Sequence, residues 1–407
     1  MRYEWKKELK TLGASLFYYE HCADELIKKI DSQWETIDYM ISSIINRRFF
    51  TAPFIGRTGK SLKILPYEMK NFLGYDGRTR PCAYVIFEDD NITRHKRNDV
   101  AIVGTGTTTT GQAIQAMEIL TDSKVKTFLW THTTLEEMRK KQKRKPRKSA
   151  WDYFVKQPDF EKRVLYLPKR ESNQKDNQKR GSLSPLGSRF EIDTAVTARS
   201  VSDCIRDYHL RCEGTDTIPL KTMSYSLDYY KRYLSDVLIP HCHKYQDKII
   251  EFADDIMGSN HIKVVASGES DLIGSCCVTR IAHFEYDGRG KSVNMIRSTD
   301  YGPPGSSNLT SDDFFIALSI SGGSKHTNAV VEEAVKKRVK KISLITSIPK
   351  TNLKVDSILT LPYTYPGYQG ELAHLGLYVF LNSVIAQIAK NKHKDEKDME
   401  RLHSQYG

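Results

Sequence analysis

Cysteine is scarce in this sequence and never occurs as a CxxC pair. The seven cysteines are an odd number, spread from Cys22 to Cys277. An odd number of cysteines does not fit a disulfide framework, and the absence of CxxC pairs does not fit a zinc site. We therefore expect reduced thiols, no metal and a cytoplasmic protein.

Long hydrophobic runs are absent as well. No apolar run approaches the 18 residues that a membrane span needs, so we expect no membrane partner. The opening MRYEWKKELK has basic residues but no apolar stretch behind them, which is unlike a secretory signal. A chain of 407 residues with a mean hydropathy of -0.51 predicts two or more globular domains.

The common nucleotide-binding motifs are also missing. The glycine-containing stretch Gly104 to Thr110 lacks the GK[ST] ending of a phosphate-binding P-loop. Neither this stretch nor the later SISGGS is a GxGxxG fingerprint with an acidic residue about twenty positions later, as dinucleotide binding requires. These absences argue against a nucleotide triphosphatase and a nicotinamide enzyme, and we expect no cofactor.

The net charge of +12 is concentrated in one segment. Arg139 to Lys148, RKKQKRKPRK, contributes eight of the twelve excess positive charges. The segment is interpreted as a solvated insertion on a loop, with an arm that contacts a polyanion as the alternative. Because the remaining chain is nearly balanced, nucleic acid is not the expected partner.

Strand-like and helical segments alternate along the chain, and the alternation occurs twice. In the first helical region Trp34, Ile37, Ile41 and Ile44 share one helix face. Alternating strands and helices predict parallel, doubly wound sheets. The predicted domains are residues 1–205, with a basic insertion at about 133–163, and residues 226–407, joined by a linker at 206–225. The predicted strands lie in FFTAPFIG, CAYVIFEDD, DVAIVG, KVKTFLWTH and VLYLP, and then in HIKVVASGESD, KSVNMIRS, DDFFIALSISGGS, KKISLITS and SILTLP.

Two hydroxyl-rich stretches each join a predicted strand to a predicted helix. Backbone N–H groups, hydroxyls and the positive end of a helix dipole then meet at one place, which suits a phosphate. A helix N-cap would explain one such hydroxyl in each loop without any ligand. The candidate phosphate ligands are Thr105, Thr107, Thr109 and Thr110 in the first stretch and Ser319, Ser321 and Ser324 in the second.

With these stretches, the sequence resembles the sugar isomerase (SIS) domain family, and the first half resembles the 6-phospho-3-hexuloisomerases. DVAIVGTGTTTT matches the family's phosphate loop, and SISGGS stands for it in the second copy. The resemblance covers about residues 44–198 and 261–389. It implies two tandem SIS domains of flavodoxin-like, three-layer αβα architecture. It also implies a phosphosugar substrate, no cofactor, and a homo-oligomer in which two-domain chains form a dimer.

The same resemblance implies the remaining site residues. SPLGSRFE is similar to the hexuloisomerase segment that ends in an active-site glutamate, and TRIAHFE carries an arginine and a histidine where the family has them. The implied catalytic residues are Glu191, His283 and Arg57, and the implied substrate-binding residues are Gly56, Thr58, Ser270 and Arg280.

Each copy departs from the family pattern. The first copy has EMKNFLG, without the arginine and histidine, and the second copy has no PLGxxFE. These departures suggest a shared site that takes Arg57 and Glu191 from one copy and His283 from the other. Alternatively, each copy has lost positions that it no longer needs. Structural roles are also possible for all three residues: an ion pair, a dipole-stabilised carboxylate and a packed histidine.

The residue types suit sugar-phosphate isomerisation. One carboxylate can remove a proton beside a carbonyl and return it one carbon away, while a cation or histidine donates to the enediolate oxygen. The predicted function is a phosphosugar isomerase of the hexuloisomerase type. The alternatives are a non-catalytic phosphosugar-binding regulator, and an aminosugar-phosphate isomerase or deaminase, whose catalytic stretch GELAH resembles (Gly370 to His374).

Overall fold

The structure of the protein is a computed structural model. Contacts divide the chain into an N-terminal unit, Cys22–Arg170 with Arg189–Tyr229, and a C-terminal unit, Met1–His21 with Glu171–Ser188 and Tyr230–Gly407. The domain boundaries predicted from the sequence describe parts of the chain that fold independently, and they stay a prediction. The structure describes residues 3–46, 49–52, 56–73, 82–84, 99–144, 146–169, 183–184, 188–211, 220–285, 292–296, 308–362 and 371–394.

The N-terminal unit contains a five-stranded parallel sheet in the order β2-β1-β3-β4-β5. The third strand is a completely buried apolar segment and the fourth is buried except for its first residue, as expected for a parallel sheet covered on both faces. The strands are β1 (Phe49–Thr51), β2 (Cys82–Tyr84), β3 (Val100–Gly104), β4 (Lys126–Thr131) and β5 (Val164–Tyr166).

Helices alternate with these strands. In the second helix, Ile37, Ile41 and Ile44 are fully buried, so the face predicted from their spacing is the packed one. The helices up to Arg232 are α1 (Lys10–Asp31), α2 (Trp34–Ile45), α3 (Gly56–Leu62), α4 (Ile64–Leu73), α5 (Gly111–Asp122), α6 (Leu135–Arg144), α7 (Trp151–Phe154), α8 (Ser188–Arg211) and α9 (Leu220–Arg232). The first half of α1 and the last three residues of α9 belong to the C-terminal unit.

The sequence suggested that the basic run lies on a loop. This prediction is wrong, because the first six residues of the run belong to α6. A reciprocal cap starts this helix: the N–H of Glu137 donates to Thr134 Oγ1, and the N–H of Thr134 donates to Glu137 Oε2. Met138 anchors the inner face. Basic residues in the last turn suit the negative end of the helix dipole, so the charge pattern favours this helix.

The C-terminal unit repeats the arrangement with a parallel sheet in the order β7-β6-β8-β9-β10. A π-helical segment spans Tyr233–Leu238. The strands are β6 (His261–Ala266), β7 (Ser292–Ile296), β8 (Asp313–Leu318), β9 (Lys341–Thr346) and β10 (Ser357–Thr360); the helices are α10 (Ile239–Lys244), α11 (Gln246–Gly258), α12 (Glu269–Glu285), α13 (Lys325–Lys336) and α14 (Glu371–Asn391).

Both sheets therefore have the flavodoxin-like order 2-1-3-4-5, and the predicted doubly wound α/β fold is confirmed. In such sheets the chain leaves the first strand toward one side and the third toward the other. Ligands bind in the crevice at the carboxyl ends of these two strands. The crevice lies between β1 and β3 in one unit and between β6 and β8 in the other.

The helix α14 contains a long apolar stretch that the sequence analysis did not predict. Within α14, Leu372–Asn391 is long and apolar enough to cross a membrane, with a mean hydropathy of 1.6. The most apolar 18 residues of this helix are 94% buried inside the protein, as in the core helix of a soluble protein. Burial of this extent is typical of a core helix, so length and composition alone do not indicate a membrane span.

Two close contacts fix α14 within its unit. A Cβ on Gly376 would lie 2.5 Å from the hydroxyl of the fully buried Tyr233, which donates to the carbonyl of Pro362. Further along the helix, Gln387 Oε1 accepts from the backbone N–H groups of Thr11 and Leu12, each at 3.0 Å. Glycine is thus required for the helix to approach Tyr233.

Candidate functional site

The first hydroxyl-rich loop lies at the carboxyl edge of the N-terminal sheet, between β3 and α5. Thr105 is buried, and its N–H donates to the carbonyl of Trp130. Thr107 and Thr110 are exposed, and Thr109 Oγ1 donates to Thr107 Oγ1 at 3.2 Å. The loop therefore presents several hydroxyls beside the crevice where the fold binds ligands.

An arginine–glutamate pair lies at the same edge. Arg57, in the first turn of α3, places Nε 3.0 Å from Oε1 of Glu191 in the first turn of α8. Their side chains are 15% and 6% exposed. The structure thus brings together two of the three predicted catalytic residues within one unit.

Small residues bring this pair close to the loop. Gly56 begins α3, and a Cβ on Gly104 would lie 3.1 Å from Cγ2 of Thr58, so α3 packs on the end of β3. A Cβ on Gly106 would lie 3.4 Å from the ring of Phe190, the residue before Glu191. The Arg57–Glu191 pair and the hydroxyl loop therefore form one surface.

His132 also belongs to this surface, and the sequence analysis missed it. It follows β4, and its Nε2 lies 2.9 Å from where a Cβ of Gly106 would be. Its ring meets that of Phe190 edge-on, with 5.1 Å between centroids. Burial lowers the pKa of His132 to about 4, and Lys169 and Lys141 contribute in the same direction. The imidazole is therefore neutral near pH 7.

We expect His132 to make the protein less stable in mild acid. Since its pKa is about 4 in the folded state and ordinarily 6.5, the unfolded chain binds more protons between these values. The contribution of His132 to the free energy of unfolding is therefore greatest above pH 6.5 and is lost as the pH falls toward 4. The loss at pH 5 should be about 2 kcal/mol. His132→Asn should shrink the difference between the unfolding free energies at pH 7 and pH 5 by that amount. Urea titrations would measure it, and an unchanged difference would contradict the assignment.

The second hydroxyl-rich loop occupies the equivalent edge of the C-terminal sheet. Ser324 caps α13 by accepting from the N–H of Thr327, and Ser321 accepts from the N–H of Gly323. The hydroxyls of Ser267, after β6, and Ser324 lie 2.6 Å apart. The loops that follow β6 and β8 are thus joined at the crevice, while the N-cap role predicted as an alternative is present for Ser324.

Several buried hydroxyls beside this second loop have no hydrogen-bond partner among the described residues. They are 0–8% exposed and lie at the ends of β8 and β9 and in the first turn of α13. Buried polar groups are normally paired, so unpaired hydroxyls beside a crevice fit a polar ligand. These hydroxyls are those of Ser319, Thr327 and Ser347.

The other predicted residues of the C-terminal unit are distributed along α12. Ser270 is buried in its first turn, and Arg280 is fully buried with its guanidinium carbon 5.8 Å from the ring centroid of Tyr378. His283 lies on α12, but its side chain is outside the described part. The roles assigned to these residues, and the shared site with His283, stay predictions.

A carboxylate–histidine contact beside Ser270 was not predicted. Glu269 Oε2 lies 2.9 Å from Nδ1 of His374, in the first turn of α14. Glu269 is buried and His374 is one-quarter exposed. In the described residues no group of three histidine, cysteine, aspartate or glutamate side chains is arranged to hold a metal ion.

Comparisons with solved structures identify the fold. Tagatose-6-phosphate ketose/aldose isomerase from Escherichia coli matches with a TM-score of 0.61, 7% identity and coverage of 98% of each chain. A protein from Clostridium difficile assigned as a phosphosugar isomerase matches with a TM-score of 0.60 and 11% identity, over 96% of this chain and 97% of the other. This chain has the fold of the sugar isomerase proteins.

The likeness extends to a third enzyme and over nearly the whole chain. The C-terminal domain of glucosamine-fructose-6-phosphate aminotransferase from Francisella tularensis matches with a TM-score of 0.57 and 9% identity, over 94% of this chain and 95% of that domain. No protein-family model and no curated protein matches the sequence. The sugar isomerase fold is therefore established by structure, at identities too low to transfer a specific activity.

Proposed function

We propose that this protein is a phosphosugar isomerase that transfers a proton between neighbouring carbons of its substrate. The observation that carries the proposal is the pair of the buried Glu191 and the half-buried Arg57, 3.0 Å apart, beside a hydroxyl-rich loop at the ligand-binding edge of the fold. The activity of one structural neighbour agrees with this chemistry, since the Escherichia coli protein is a ketose/aldose isomerase. The proposal adds named residues to that agreement.

Glu191 is the proposed proton carrier. Its carboxylate takes the proton from the carbon next to the substrate carbonyl, and the electron pair of that bond forms the enediolate. The protonated Glu191, whose proton can exchange with solvent, then protonates the adjacent carbon, while the hydroxyl proton passes to the former carbonyl oxygen. The carbonyl has then moved by one position, and Glu191 is again a carboxylate. No external oxidant, reductant or cofactor enters this balance.

Arg57 is the proposed partner of the enediolate. A guanidinium has five N–H donors, so Arg57 can contact Glu191 through Nε and still donate to a negatively charged oxygen. Such donors stabilise charge that develops in the transition state, most effectively where little water is present. The neutral His132 supplies a further nitrogen on the same surface.

The loop of Thr105, Thr107, Thr109 and Thr110 is the proposed phosphate seat. It precedes α5, whose N-terminal N–H groups and dipole favour an anion. Binding the phosphate away from the reacting carbons holds the substrate in position. The C-terminal loop is proposed to bind a second phosphosugar, because its buried hydroxyls lack partners among the described residues.

The proposed substrate is a hexulose phosphate, which rests on the similarity of SPLGSRFE to the hexuloisomerases. The proposed assembly is a homodimer, which follows from the same family resemblance. The non-catalytic regulator remains the alternative, and the two functions differ in turnover rather than in binding.

A thermal melt followed by a turnover assay tests the proposal. A phosphosugar at one hundred times its dissociation constant should stabilise the fold by about 2.7 kcal/mol, because it binds only the folded state. Hexulose and aminosugar phosphates would be screened by melting temperature, and binders incubated with the protein in deuterated water under NMR detection. An isomerised, deuterium-labelled product supports the enzyme. Stabilisation without product favours the regulator, and no stabilisation by any phosphosugar contradicts both.

A further inference from the structure

The N-terminal hydroxyl loop contains a residue in an unfavourable backbone conformation. Thr108 has φ 61, in the left-handed region, and its side chain is completely buried. A β-branched residue rarely adopts this conformation, and such strain persists only where the surroundings enforce it. In the C-terminal loop the corresponding residue is Gly322, with φ 65. Glycine adopts that angle freely, so the N-terminal copy uses a threonine for a shape that the other copy obtains from glycine.

Neighbouring groups hold Thr108 in place. The N–H of Ala150 donates to its carbonyl at 2.8 Å, and the hydroxyl of Ser149 donates to its Oγ1 at 3.1 Å. Thr108 Oγ1 in turn donates to the carbonyl of Thr107 at 2.7 Å and lies 3.7 Å from the sulfur of Met138. Both its side chain and its backbone are therefore fixed.

The residues that hold Thr108 come from the segment that carries the basic run. Met138 belongs to α6, while Ser149 and Ala150 immediately precede α7. Ser149 is itself positioned, because its backbone N–H donates to Asp152 Oδ2 and its hydroxyl accepts from the N–H of Trp151. The sequence analysis interpreted this segment as an insertion outside the site. In the structure, however, Met138 before the basic run and Ser149 and Ala150 after it contact Thr108 of the hydroxyl loop.

We propose that Thr108 is a positioning residue, held by Ser149 and Ala150, that fixes the loop in the shape that receives the phosphate of the substrate. This inference rests on the proposed function of the loop. A fixed loop loses little conformational freedom when the ligand arrives, so the hold on Thr108 strengthens binding. Because the phosphate does not react, the effect is equal in the ground state and the transition state. Loss of the hold therefore raises KM and leaves kcat unchanged.

The test compares two substitutions that differ in one hydroxyl. Thr108→Val keeps the β-branched shape but removes Oγ1, whereas Thr108→Ser keeps it. We expect Thr108→Val to raise KM and the dissociation constant for inorganic phosphate about three- to tenfold, the loss typical of one hydrogen bond. Thr108→Ser should restore both values to within twofold of the wild type. The amide hydrogens of residues 105–110 should exchange faster in Thr108→Val than in the wild type, with or without ligand.

Thr127→Val is the matched control. Thr127 is also fully buried, and its hydroxyl donates to the carbonyl of Val125 at 3.1 Å, at the amino end of β4 and away from the loop. It should lower stability without changing KM. Should Thr108→Val fail to fold, Ser149→Ala removes the same contact from the other side. A wild-type protein that binds no phosphosugar overturns the proposed function, whereas unchanged KM and unchanged loop exchange in these variants overturn the role of Thr108.

Discussion

Replacement of Glu191 by glutamine is expected to lower kcat by about 10²- to 10⁴-fold, the contribution typical of a general acid–base group. Glutamine keeps the size of the side chain and an oxygen for Arg57, but it cannot accept the proton. The fold and the binding of the phosphosugar should survive, because the hydroxyl loop is unchanged. Single-turnover NMR assays and melting temperatures with and without phosphosugar would measure the two effects separately.

A second buried pair in the same unit provides the control. Glu68 Oε1 lies 2.6 Å from Nη1 of Arg199, with both side chains at most 9% exposed, and Arg199 lies two turns along α8 from Glu191. Glu68→Gln also replaces a buried carboxylate that is paired with an arginine, so its effect on stability should be comparable or larger. Its kcat should stay within a few-fold of the wild type. Equal losses of kcat in the two variants would mean that Glu191 is only a structural ion pair.

Substitution of Gly376 by alanine is expected to reduce the free energy of unfolding by about 2–4 kcal/mol. The added methyl would lie 2.5 Å from the hydroxyl and 2.6 Å from Cε1 of Tyr233, a fully buried ring. Overpacking a dense core costs about 1–3 kcal/mol, and displacing Tyr233 also breaks its hydrogen bond to Pro362, worth about 1 kcal/mol. Chemical denaturation monitored by circular dichroism would measure the loss.

Gly258 gives a matched control for this second prediction. It ends α11 in the same unit, and within the described part of the chain no heavy atom lies within 4 Å of where its Cβ would be. Gly258→Ala should therefore be neutral or stabilise the protein by up to about 1 kcal/mol, through the lower entropy of the unfolded chain. If Gly376→Ala were equally well tolerated, the close approach of α14 to Tyr233 would be disproved.

The strand segments and their parallel pairing were accessible from the sequence because they depend on local pattern and on general rules of chain connection, whereas the flavodoxin-like architecture was implied by the family resemblance. Apolar runs such as DVAIVG and DFFIAL are typical of buried parallel strands where helices alternate with them. The basic run shows the limit of composition. Its charges suggested a solvated loop, but the Thr134–Glu137 cap and one buried methionine are sufficient to form α6.

The candidate site was predicted where a motif marked it and missed where only folding creates it. Arg57 and Glu191 are 134 positions apart, and their pairing was anticipated through the family resemblance. His132 carries no motif, because a single histidine after a strand has many possible environments. Its role depends on Gly106 and Phe190, which only the folded chain brings together. The conformation of Thr108 was likewise hidden, since threonine is an improbable residue at a positive φ.

The bonds from Thr11 and Leu12 to Gln387 affect how the chain can mature during synthesis. The N-terminal unit is complete once residue 229 has emerged, but the first half of α1 waits for a partner that is translated about 160 residues later. At roughly 5–20 residues per second, this delay lasts on the order of 8–30 seconds. During that interval Leu12, completely buried in the finished protein, has no native partner at Gln387. A ribosome that stalls between these points would therefore leave the apolar face of this half-helix available to chaperones or to aggregation.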